Sequence, residues 1–142
     1  MLPLSSPCFG QLRDDQALAR HPCPALGLAE PERLSPAAHA GINDPTNSVY
    51  VSDASGWEIA TKVRIGKLAG IGELLNDLPE LLIAQDFELL PITLQKGLHA
   101  GGYPIPHRDP FNRLLAAQAE LAMLTLVTLD PALQAFPCRL LW

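Results

Sequence analysis

Three acidic residues of this 142-residue chain stand where carboxylates do metal chemistry: Glu58 inside "ASGWEIATKVRIG", Asp109 in "HRDPF", and Asp130 just after "LTLVT". Each also has an ordinary role. Glu58 precedes Lys62 by four residues, the spacing and orientation of a stabilising helical ion pair. Asp109 and Asp130 each precede a proline, which is how a helix N-cap reads. Brought together, three carboxylates repel one another unless a cation neutralises them. An oxygen-only ligand set selects Mg²⁺ or Mn²⁺ over zinc, and such an ion polarises a phosphoryl group and activates water. The chemistry these residues offer is therefore metal-assisted phosphodiester hydrolysis, if the fold makes them converge.

Other constellations fall short. Cys8, His21 and Cys23 lack a fourth zinc ligand at suitable spacing. His107 has no nucleophile in a G-x-S-x-G turn to serve. "GKLAGIGE" lacks the residue order and the Lys-Ser/Thr ending of a phosphate-binding loop.

The elements that must position the acids are legible from Ser35 onward. Ser35 caps a helix with Pro36 at its first position, ending at "NDPTN". "SVYVS" is a β-branched strand. Ser52 or Asp53 caps the next helix, closed near Gly66. "IGELLNDLPELLIAQD" reads as helix restarted at Pro79, followed by the strand "FELLPI" and a helix over "TLQKGLHAGG". From Asp109, the residues Phe111, Leu114, Leu115, Gln118, Ala119 and Ala122 recur at helical spacing. The strand "LTLVT", a short Pro131-led helix and the strand "CRLLW" complete the chain. Short strands alternating with helices imply a parallel sheet covered on both faces, an α/β fold in three layers. Sites in such sheets form at the carboxyl ends of the strands, where Ser52 to Glu58 and Asp130 lie. Trp57 and Phe111 read as core.

Composition bounds the rest. The length fits one domain, and 48% hydrophobic with 18% charged residues excludes a disordered chain. No apolar run reaches membrane-spanning length, and "MLPLSSPCFG" lacks the basic start of a signal peptide. Three cysteines without framework spacing fit a reducing, cytoplasmic setting. A net charge of −5 argues against bulk electrostatic binding of nucleic acid, so any such contact has to be local. Lys62, Arg64, Lys67, Arg108 and Arg113 lie near the acids and could touch phosphates, or serve only as solvated surface charge.

The segments "AEPERLSPAAHAGINDPTNSVYVSDASGWEIATKVRIGKL", "FELLPIT", "LHAGGYPIPHRDPFNRLLAAQAE" and "LTLVTLDPAL" resemble the PIN-domain toxins of the VapC family, from about residue 28 to residue 142. The resemblance implies a three-layer PIN-like domain and a Mg²⁺- or Mn²⁺-dependent endoribonuclease. It further implies the toxin of a type II toxin–antitoxin pair, dimeric and silenced by a small antitoxin. Glu58 and Asp130 match the second and fourth acids of the family site. The third falls on Asn112, which keeps an oxygen and loses a charge, with Asp109 one turn earlier as the residue that could compensate. Of the basic residues near the acids, Arg108, Arg113 and Lys62 are the candidate RNA contacts.

The family's first acid, in a strand and helix resembling "LLLDTHALLWAL", is missing. "ALARHPCPALGL" stands in its place, so the first strand is expected lost or degraded and residues 1–27 an aberrant leader. The genetic code offers a reason. With Arg20 as CGA and Leu26 as CTG, reading one nucleotide later turns the codons of Arg20 to Leu28 into Asp-Thr-His-Ala-Leu-Leu-Trp-Ala. The third bases are chosen to fit, but the first two bases of the His21, Pro22, Cys23 and Gly27 codons are fixed by those residues. "DDQALA" shifts likewise to Met-Thr-Arg-Arg-Leu-Leu. Two further readings stay open: a catalytically inactive PIN remnant that at most binds protein, and a generic α/β interaction module.

Overall fold

The computed structural model describes residues 16–19, 35–67, 72–128 and 130–142, with only the backbone of 16–19. The Cys8, His21 and Cys23 grouping and the boundary near residue 28 lie outside the described residues.

Five strands form one parallel sheet: β1 Gln16–Ala19, β2 Ser48–Ser52, β3 Phe87–Leu90, β4 Thr125–Val127 and β5 Arg139–Leu141, in the order β3-β2-β1-β4-β5. The α/β expectation holds. The first strand, expected lost, is instead central: Ala17 pairs with Val49 on one side and Thr125 on the other. A central strand needs backbone pairing on both edges, and Gln16–Ala19 has it with β2 and β4 despite alanine's modest strand propensity. The prolines that argue against a strand, Pro22 and Pro24, come after it in the sequence.

The helices form where the capping residues dictate. Ser35 accepts from Ala38 N at 3.1 Å and opens α1 (Pro36–Asn43). Ser52, rather than Asp53, caps α2 (Asp53–Arg64), and Gly66 at φ 82° lets the chain leave it. A 3₁₀ turn at Gly72–Asp77 leads into α3 (Leu78–Ala84), restarted with Pro79 in its first turn as expected. Thr93 caps α4 (Leu94–Gly102), and Asp109 caps α5 (Pro110–Leu121). A 3₁₀ turn at Pro131–Ala135 comes after β4.

The apolar residues sort onto the two sheet faces. Ala38, Ile42, Val49, Val51, Leu82 and Phe87 form one cluster, and Leu115, Ala116, Ala119, Leu126, Leu133 and Phe136 the other. Each face thus removes one set of aliphatic side chains from water, and the hydrophobic effect holds the layers together. Helix α5 is the best patterned and the best buried, and it packs against both α2 and α4.

Candidate active site at the carboxyl ends of the central strands

Strand β1 has β2 on one side and β4 on the other, so the crossovers diverge here and leave a crevice at the strand ends. Asp130 lies just beyond β4 there, and α5 brings Asn112 to it. Asn112 has 0% exposure. Its Nδ2 donates to Asp130 Oδ2 and to His107 Nε2, both at 2.9 Å. An amide nitrogen only donates, so His107 Nε2 is the acceptor of this bond. Among the described residues Asn112 Oδ1 is buried without a hydrogen-bond partner. A buried acceptor left unmet costs about 1–3 kcal/mol, so this oxygen needs an explanation such as a bound ion or water.

Asp130 is held from several sides. Its Oδ1 accepts from Ala132 N at 3.0 Å, and its own N–H donates to Thr128 Oγ1 at 3.1 Å. The carboxylate is thus both the cap expected from Asp-Pro and a member of the crevice.

Glu58 is buried, with 6% exposure, on the inner face of α2, and Lys62 Nζ lies 3.3 Å from its Oε1. Lys62, a candidate RNA contact, is therefore a partner of Glu58. Ser52 Oγ donates to Gln118 Oε1 at 2.5 Å, and Gln118 Nε2 reaches the carbonyls of Leu90 and Pro91 at 3.3 Å. This buried amide ties α5 to the ends of β2 and β3 and so fixes the crevice wall.

Two expectations change. Asp109 spends Oδ1 on Phe111 N at 2.9 Å, as a cap does. Among the described residues no three His, Cys, Asp or Glu side chains gather as a metal cage, so Glu58, Asp109 and Asp130 do not form one by themselves. Asn112, expected as a weakened ligand, is the residue that joins Asp130. Arg113 is not free for RNA. Its guanidinium donates to the carbonyls of Ala100, Gly101, Tyr103, Ile105 and His107 at 2.7–3.3 Å, which organises the loop ahead of α5. A rigid fork of five donors suits this task, and no side chain but arginine has it. Arg108 stays exposed and available.

His107, which the sequence offers only as an unserved hydrolase histidine, takes part in the crevice two residues before the Asp-Pro cap. A second cluster had no sequence signal at all: His99 and Tyr103 both bind Glu120 Oε1, the tyrosine at 2.9 Å. The His99 bond, then the Tyr103 bond, holds the Glu120 carboxyl below its ordinary value against the opposing effect of burial. Burial and the same carboxylate push the Tyr103 phenol up. Burial, then Glu120, pushes the Cys138 thiol up to about 11.

The donors that meet at the crevice are oxygens, the Asp130 carboxylate and Asn112 Oδ1, with the buried Glu58 carboxylate on the neighbouring helix α2. This set fits a hard divalent cation such as Mg²⁺ or Mn²⁺ and not zinc. One carboxylate fewer makes it a weak version of such a site.

Comparisons with known proteins agree with the fold. The family described as PIN domain matches residues 26–137. Among solved structures the chain is similar to one in the crystal structure of VapBC2 from Rickettsia felis bound to a DNA fragment from their promoter. The TM-score is 0.65 at 12% identity, over 89% of this chain and 97% of that one. A comparison with curated protein sequences gives no match.

Proposed function

The chain belongs to the PIN domain family, and from that premise we propose that it is a VapC-like toxin of a type II toxin–antitoxin pair, an endoribonuclease dependent on Mg²⁺ or Mn²⁺. The observation that carries this reading is the meeting of Asn112 and Asp130 at the switch point of the sheet, with a buried Asn112 oxygen that has no hydrogen-bond partner among the described residues. Asp130, Asn112 Oδ1 and Glu58 would hold the cation, and Asp109 stands one helical turn from Asn112 as a further carboxylate. When bound, the cation supplies Lewis-acid activation of water against a phosphodiester. The chain's own residues do the positioning. Asn112 orients Asp130, the Ala132 amide fixes its other oxygen, and Lys62 holds Glu58.

The proposed partners are RNA, an antitoxin and a second copy, all in the cytoplasm. Helix α4 offers apolar surface for a protein partner: Leu94 and Leu98 are exposed and line an open cleft of about 690 Å³ with His99, Tyr103 and Pro104. No helix among the described residues is long and apolar enough to cross a membrane.

The test is induced expression with an RNA cleavage assay in Mg²⁺. Growth arrest and cleavage are expected, and Glu58→Gln or Asp130→Asn should abolish both. Cleavage that survives both substitutions sinks the site. A specific observation favours a second reading, a catalytically silent PIN domain that binds its antitoxin only: the Asn112 amide already occupies Asp130 Oδ2, and one charge of the family site is gone. An inert chain that still captures its antitoxin would select that reading.

A further inference from the structure

Trp57 is out of place as a core residue. It is 65% exposed, on a helix that buries its other face, and a large aromatic left open to water asks for a reason. Its ring packs edge-on against Phe111, centroids 5.2 Å apart at 68°. Trp57 directly precedes the buried Glu58, and Phe111 directly precedes Asn112 of the crevice. The pair therefore bridges α2 and α5 at the border of the site. On α2 the exposed stripe runs Asp53, Trp57, Ala60, Arg64. Ala60 is too small to cover the indole, and Arg64 comes seven residues on, about 10 Å along the axis on the same side. Arg64 makes no ion pair or side-chain hydrogen bond among the described residues.

We propose that Trp57, propped by Phe111, is a stacking platform for an unpaired base of RNA, with Arg64 as the adjacent phosphate contact. An indole face stacks on any base, and the contact needs no overall positive charge. That suits a chain whose net charge is −5. It also satisfies the requirement that nucleic-acid contact here be local. The surroundings fit a base better than a protein segment. The stripe beside Trp57 is acidic, small and basic in turn, whereas continuous apolar surface for a protein lies elsewhere, at Leu94 and Leu98 of α4. Asp53 at the other end of the stripe repels phosphate and so directs the strand toward Arg64. The proposal rests on the RNA-cleaving reading for its ligand but not for its test.

That test uses the full chain in EDTA, where binding is read without cleavage. Trp142→Phe leaves Trp57 as the only tryptophan. An unstructured 12-nucleotide oligoadenylate should quench its fluorescence in a saturable way. Trp57→Ala should weaken binding, measured by anisotropy of labelled RNA, at least about fivefold, with Trp57→Phe in between. Arg64→Gln should reduce the slope of log K against log salt by about 0.7. Absence of RNA binding, or equal binding by Trp57→Ala, overturns the platform. So does quenching by an apolar helical peptide and not by RNA, which assigns the face to a protein. The two readings fail separately. Binding through Trp57 with no cleavage in Mg²⁺ removes the nuclease and keeps the platform. Cleavage by Trp57→Ala with unchanged KM removes the platform and keeps the nuclease.

Discussion

Asn112 and Asp130, on α5 and just beyond β4, are joined by a 2.9 Å hydrogen bond from amide to carboxylate at the ends of the central strands. The neutral amide makes this contact without the cation or shared proton that two carboxylates would need. Restoring the charge with Asn112→Asp sets two carboxylates side by side, a contact that costs about 1–3 kcal/mol when unpaired. In EDTA the variant should melt several degrees below the parent chain. Millimolar Mn²⁺ should raise its Tm more than the parent's, because binding to the folded state alone stabilises it. Equal Mn²⁺ responses by thermal denaturation would rule out Asn112 as a point on the cation site.

Arg113 gives the second prediction. Its five bonds to carbonyls, and its place 5.9 Å from the Tyr103 ring, hold residues 100–107 in the path that puts His107 on Asn112. Arg113→Lys keeps the charge but not the planar fork, leaving carbonyls unmet. Denaturant unfolding should show a loss of about 2–4 kcal/mol. A loss below about 0.5 kcal/mol would mean that the loop holds itself.

Legibility in the sequence varied with the reach of the interaction. The helix starts at Ser35, Ser52, Thr93, Asp109 and Asp130 are local bonds across two or three residues, and the sequence displays them. Strands β2 to β5 announce themselves by their side chains. Strand β1 does not, because "QALA" becomes a strand only through neighbours that lie some 30 and 110 residues further on. The Asn112 hub was half legible: its substitution showed, but its bonds to His107 and Asp130 depend on how α5 meets β4. Trp57 looked like core because helical spacing says which residues share a face, not which face is covered.

Glu120 predicts a pH dependence. Its folded-state carboxyl is depressed by the bond from His99 and then that from Tyr103. A depressed acid stabilises the fold fully above its unfolded value, near 4.5, and this contribution fades as pH falls through the lower folded value. The Tm gap between the parent chain and Glu120→Gln should narrow as pH falls below about 4.5. A gap that widens on acidification contradicts the assignment.

Cys138 should be the slow thiol. With its pKa pushed up to about 11, chiefly by burial, very little thiolate exists at pH 8. Peptide-resolved alkylation of the native chain should label Cys138 far more slowly than the same cysteine after denaturation. Comparable rates would mean that α5 and the loop before β5 do not shield it.

The last prediction concerns the amino-terminal segment. Strand β1 ends at Ala19, and in the shifted reading the Asp codon arises at the junction of Arg20 and His21, immediately after it. The same reading turns the codons of "DDQALA", which include those of β1, into Met-Thr-Arg-Arg-Leu-Leu. The two frames differ in the residue that follows this stretch, an arginine in one and an acid in the other. We propose that residues 1–27 derive from a displaced reading frame, restored near Gly27 to Ala29. A chain carrying "MTRRLLDTHALLWA" in place of residues 1–27 should then arrest growth and cleave RNA more strongly, and gain more Tm from Mn²⁺, than the chain with "ALARHPCPALGL". If both are inert, Asn112 becomes the residue to restore. The nucleotide sequence decides the origin: a locus whose shifted frame has no Asp codon at that junction removes the explanation, whatever the chimera does.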